Sequence, residues 1–180
     1  MRELDRRTTF SRRGFLKTAA ASPVVVAAGA SITASAAWAQ DAKAIAPHAM
    51  ATLVRAARDI YPHDHIGDVF YVTAIAPWDA KAGKDPALSA MVAEGVARLD
   101  ADAQEKFKSN YLNVAWEADR VTLLRGIEHT KFFRALRSDL VVSLYNQPDI
   151  WAKFGYEGSS AEKGGYIARG FDDINWLPTA

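Results

Sequence analysis

The chain contains no cysteine. That excludes disulfides, thiolate zinc sites, iron–sulfur clusters and covalent Cys-x-x-Cys-His haem together. A small domain without disulfides must draw its stability from its own core or from a partner. Long apolar runs are also lacking. The most hydrophobic stretch, Thr18 to Ile32, is mostly alanine, valine, glycine and serine and is interrupted by Pro23. It is too weak to form a stable membrane-spanning helix. There is no Gly-x-Ser-x-Gly element, and a cysteine nucleophile is impossible. The glycines of Gly164-Gly165-Tyr166-Ile167-Ala168-Arg169-Gly170 follow no strand and lack the Gly-x-Gly-x-x-Gly spacing, which argues against a flavin or nicotinamide site in this chain.

An excess of positive charge is missing too. The formal charge is +1, from 22 basic and 21 acidic residues. Residues 1–39 hold six of the basic residues (Arg2, Arg6, Arg7, Arg12, Arg13, Lys17) and two of the acidic ones (Glu3, Asp5). The remaining 16 and 19 give −3, so the rest of the chain has no electrostatic footprint for nucleic acid or anionic lipid. With 49% hydrophobic and 24% charged residues, the composition is that of a globular chain rather than a disordered one.

What is present begins with Ser11-Arg12-Arg13-Gly14-Phe15-Leu16-Lys17. Paired arginines alone are weak evidence. Here Arg12 and Arg13 are followed by Phe15 and Leu16, by the mildly apolar run, and by Ala37-Trp38-Ala39, the small-x-small pattern a signal peptidase recognises before Gln40. Together these features match a twin-arginine export signal over residues 1–39, read by the twin-arginine translocase. The alternatives are an uncut anchor and the amphipathic start of a cytoplasmic helix. This route moves folded proteins, typically after cofactor insertion or assembly. The remaining 141 residues, enough for one core, show no cofactor motif, so the cofactor is expected in a partner.

Residues 40–47 are expected as a flexible lead-in, and 48–148 as a bundle of five or six helices. Met50, Leu53, Val54, Ala57, Ile60 and Tyr61 fall at helical spacing, and Pro62 ends that helix. His63 to Asp68 form a turn, Val69 to Ala76 a short helix, and Pro77 to Lys84 a loop. Asp85-Pro86 starts a helix with Leu88, Met91, Val92, Val96 and Leu99 inward. Asp102-x-x-Glu105 resembles a capping box for a further helix that carries Phe107, Tyr111, Val114 and Ala115 inward. A piece from Asp119 to Ile127 follows. The longest helix is expected over Glu128 to Tyr145, with Phe132, Phe133, Leu136, Leu140, Val141 and Leu144 on one side and Pro148 closing it. The fold class is all-α.

Residues 149–180 differ in character. Gly155, Gly158, Gly164, Gly165 and Gly170 alternate with Trp151, Phe154, Tyr156, Tyr166, Phe171 and Trp176 without helical or strand period. Six large aromatics on a costly glycine-rich backbone must pack somewhere. They either fold back over the chain's own helices or form a docking surface for a partner.

His63-Asp64-His65 with Asp68 is the one cluster with metal-ligand character, but a His-x-His pair needs a third ligand fixed elsewhere in the fold, and His48 and His129 show no spacing that suggests one. The plainer reading is a polar turn whose acids cap the next helix. Glu128-His129 could supply an acid–base pair but lacks a nucleophile beside it, and Asp172-Asp173 reads as a solvated turn.

The twin-arginine leader, the Ile60-Tyr61-Pro62-His63-Asp64 helix end and the tail together resemble the small subunit (subunit 3, gamma) of membrane-associated gluconate 2-dehydrogenase. In the tail the resemblance runs from Leu144-Tyr145-Asn146-Gln147-Pro148 through Trp151-Ala152-Lys153-Phe154-Gly155-Tyr156-Glu157-Gly158 to Gly164-Gly165-Tyr166 and Phe171. It implies a non-catalytic subunit without a cofactor of its own, accompanying a large flavoprotein that holds FAD and oxidises a sugar, sugar acid or polyol. A c-type cytochrome carrying haem c takes the electrons in such complexes. The implied place is the periplasm, attached to the cytoplasmic membrane through the complex, and the implied role is maturation and export of the flavoprotein. The competing reading is a free-standing periplasmic metal-binding protein or enzyme that uses His63 and His65.

Overall fold

The computed structural model describes residues 39–167. Every regular element among them is helical, and there is no strand. Six helices span six residues or more: α1 (Pro47–Ile60), α2 (Asp68–Ile75), α3 (Pro77–Ala82), α4 (Pro86–Phe107), α5 (Glu117–Gly126) and α6 (Lys131–Ser143). A single turn, α7 (Pro148–Trp151), follows, and 3-10 turns lie at Tyr111–Asn113, Ala152–Phe154 and Ser160–Lys163. None of these helices is long and apolar enough to cross a membrane.

Helix α1 is the centre of the packing and touches α2, α4, α5 and α6. Its small residues explain this. Ala49, Ala56 and Ala57 let neighbours approach on several sides, while Met50 and Leu53 fill the core and are fully buried. Pro47 begins α1 where no N–H is needed, and Tyr61, ahead of Pro62, leaves the helical region at φ −126° and ψ 75°.

Four expectations from the sequence are corrected. Pro77 to Lys84 is not a loop. Ala76 keeps helical angles and Pro77 occupies a first-turn position, so the proline starts α3 rather than breaking structure. Trp78 of α3 is 3% exposed, and its indole N–H donates to Asp139 at 2.8 Å. Asp102 caps nothing. Helix α4 runs through it for 22 residues, and Asp102 accepts from Arg98 one turn earlier. Phe107 therefore ends α4, Tyr111 and Val114 come from the following turn, and Ala115 is exposed.

Helix α4, not the Glu128–Tyr145 segment, is the longest among the described residues. Helix α6 starts only at Lys131, where Thr130 accepts the Phe133 N–H, and it ends at Ser143. Val141 is 52% exposed, while Phe132, Leu136, Leu140 and Leu144 are buried as expected. Finally, Pro148 opens α7 instead of closing a helix.

Residues 40–47 are fastened to the bundle. The Asp79 carboxylate accepts the backbone N–H groups of Lys43, Ala44 and Ile45 at 2.8–3.2 Å, and Ile45 is buried. Partial burial alone would raise the Asp79 pKa. The three N–H groups and the nearby Lys43 charge outweigh it and hold the carboxyl below its usual range.

Gly95 shows how closely α4 and α6 approach. A Cβ there would overlap the Phe132 ring, so only glycine admits this ring against the helix.

Candidate functional site

The turn after α1 and the chain after α6 meet in one aromatic cluster. Pro62 ends α1 and sends His63 and His65 outward. The Arg58 guanidinium pins the turn through the Ile66 carbonyl at 3.3 Å and Asp68 at 3.0 Å. His63 Nε2 lies 2.6 Å from the Tyr145 hydroxyl. Phe154 closes over both imidazoles, with ring centroids 4.9 Å from His63 and 4.8 Å from His65. The two imidazoles are 5.6 Å apart, and Tyr61 packs edge-on against Tyr145 at 5.7 Å. Burial, then the charges of His65 and Arg58, lower the His63 pKa; burial raises that of Tyr145.

The segment from α7 onward is stapled at its start and open beyond. Ile150 is fully buried, and the Trp151 indole N–H donates to the Tyr145 carbonyl at 2.9 Å. Tyr156 turns back onto Trp151, with its N–H on the Trp151 carbonyl and ring centroids 5.3 Å apart. Gly155 makes this reversal in the left-handed region at φ 71°. The aromatics around this reversal are open to solvent in part: Phe154 is 39% exposed, Tyr156 48% and Tyr166 64%. Trp151 is thus partly buried in the chain's own fold, Phe154 and Tyr156 pack one side on neighbouring rings and leave the other open, and Tyr166 is the most exposed of these four. Phe171 and Trp176 lie outside the described residues, as do Gly170, Asp172-Asp173 and the export-signal residues Arg12, Arg13, Phe15, Leu16 and Ala37.

The metal candidates are not assembled as a ligand set. Asp68 is engaged by Arg58 rather than aimed at the histidines, and His63 is engaged by Tyr145. Among the described residues no group of three His, Cys, Asp or Glu is arranged to hold a metal. His48 is elsewhere, with its Nε2 2.6 Å from Asp100 on α4. His129 and Glu128 are exposed on the α5–α6 turn. A separate open groove of about 660 Å³ runs between α4 and the start of α6, lined by Leu88, Met91, Gly95, Ile127, Lys131 and Phe132 among others.

One buried constellation lay beyond the sequence reading. Arg120 on α5 grips Asp59 on α1 through two bonds, Nε–Oδ2 at 2.7 Å and Nη2–Oδ1 at 2.8 Å, and the Tyr111 hydroxyl donates to the same carboxylate at 2.7 Å. A third guanidinium nitrogen donates to the Val114 and Ala115 carbonyls, locking the α4–α5 connection. Burial alone would lower the Arg120 pKa; the hydrogen bonds and charge of Asp59 more than offset it and leave Arg120 raised. Burial, then Asp59, push the Tyr111 phenol up. With every group bonded to another, this is a structural clamp rather than a reactive centre.

No family model, curated protein or solved structure matches the chain.

Proposed function

We propose that this chain is a non-catalytic accessory subunit that binds a large FAD-dependent sugar, sugar-acid or polyol dehydrogenase of the gluconate 2-dehydrogenase kind, and supports its maturation and twin-arginine export to the periplasm. The observation that carries the reading is the C-terminal surface. Phe154, Tyr156 and Tyr166 are presented to solvent on a segment whose base is fixed by Ile150 and by the Trp151–Tyr145 hydrogen bond. Exposed aromatics on a segment anchored at its base are what interface anchors require. The leader motif and the tail resemblance supply the kind of partner, and the cytochrome with haem c would belong to the same assembly.

Export of the partner tests this directly. In the native host, replacing Arg12 and Arg13 by Lys in this chain alone is expected to trap the flavoprotein inside the cytoplasm. Substrate-dependent dye reduction in the periplasmic and membrane fractions would fall accordingly. Normal flavoprotein activity outside the cytoplasm in that strain would overturn the export role.

A further inference from the structure

The chain is folded from Ala39 onward. Ala39, which would occupy the pocket of a signal peptidase, is 1% exposed and part of the hydrophobic core. Ala39 has helical conformation, and its carbonyl accepts the Ala42 N–H at 3.3 Å. The chain immediately beyond it is bound as well. Lys43, Ala44 and Ile45 give their N–H groups to Asp79, and Ile45 is 4% exposed.

A leader-removing peptidase needs the opposite geometry: an extended strand, a small side chain at the cut seated in its pocket, and an accessible carbonyl at the scissile bond. In this chain that carbonyl belongs to Ala39. Reaching it requires removing Ala39 from the core, and the segment just downstream resists because Asp79 holds it by three backbone N–H groups. The twin-arginine route presents its cargo already folded, so a peptidase would meet the junction after it has closed.

We infer that folding seals the Ala39–Gln40 bond against leader removal, so that the residues ahead of it stay attached to the exported domain. This rests on the export reading above. Asp79 is the positioning residue, acting through the 43–45 backbone.

The test uses the purified full-length chain, a purified signal peptidase in detergent, and a synthetic peptide of residues 18–46 as the unfolded comparator, with products identified by mass. The expected result is cleavage of the peptide after Ala39, and cleavage of the native chain at least about tenfold slower, because the site is cut only while transiently open. Asp79→Ala is expected to accelerate cleavage of the full chain, with circular dichroism showing its helices retained. Cleavage of the native chain at the peptide's rate would overturn the inference whatever the variant does. A peptide left uncut would instead overturn the reading of residues 1–39 as a cleavable leader, and with it the premise.

Discussion

At the scale of single residues, the most consequential group is Asp59. It is buried and shared by Arg120 and Tyr111, so removing it leaves a guanidinium in the interior without its counter-charge. Asp59→Ala is expected to lose about 3–5 kcal/mol in urea denaturation, whereas Tyr111→Phe, which removes one hydrogen bond, loses about 1 kcal/mol. His63 gives the pH dependence its sign. Its folded pKa lies below the ordinary 6.5, so between the two values the unfolded chain binds more protons. Stability is complete above 6.5, falls as the pH drops through that window, and His63→Phe should flatten the slope, as read from denaturation midpoints at several pH values. Asp59 gave no signal in the sequence, because it lies half a turn away from the apolar stripe led by Met50 and Leu53. Its partner gave none either, because Arg120 lies 61 residues away and nothing local specifies the pairing.

At the scale of elements, close helix contact and helix ends decide the outcome. Gly95 sits inside α4, where glycine costs about 1 kcal/mol relative to alanine. The Phe132 ring explains its use, since a methyl there would displace the ring. Gly95→Ala is therefore expected to destabilise by about 1–3 kcal/mol despite its better helix propensity, and Gly95→Ala with Phe132→Leu should recover part of the loss. At the other end of α4, Lys108 holds a left-handed conformation at φ 56°, and Lys108→Gly should raise the unfolding free energy by up to about 1 kcal/mol, read from urea denaturation.

The same elements show how far the sequence could be read. The apolar faces of α1, α4 and α6 were legible because a buried stripe leaves a 3.6-residue period. The boundaries misread at Pro77, Asp102 and Pro148 share one cause. Proline and Asp-x-x-Glu mark a helix start only in the right context, and the context is set by what the neighbouring turn packs against. Trp78 fastened to Asp139 makes Pro77 a beginning rather than an end.

At the scale of the whole molecule, the helices form a core that runs from Ala39 to Ile150, and the segment beyond exposes its aromatics. The convergence of His63, His65, Tyr145 and Phe154 could not be read from spacing, because the turn and the tail are about 80 residues apart along the chain and meet only through the fold. The resulting division of labour has a consequence for mutation. Trp151→Ala should destabilise the chain's own tail, while Tyr166→Ala should leave the denaturation midpoint unchanged and weaken partner binding by about 2 kcal/mol or more. The central proposal is that a flavoprotein covers this surface. The measurement that tests it most directly is gentle affinity capture of the tagged full-length chain from periplasm and membranes of its host, with flavin absorbance and subunit ratio recorded. An FAD-containing dehydrogenase recovered in about equal amount, and lost with Tyr166→Ala, is the expected result. A chain recovered alone, without flavin, would contradict the account.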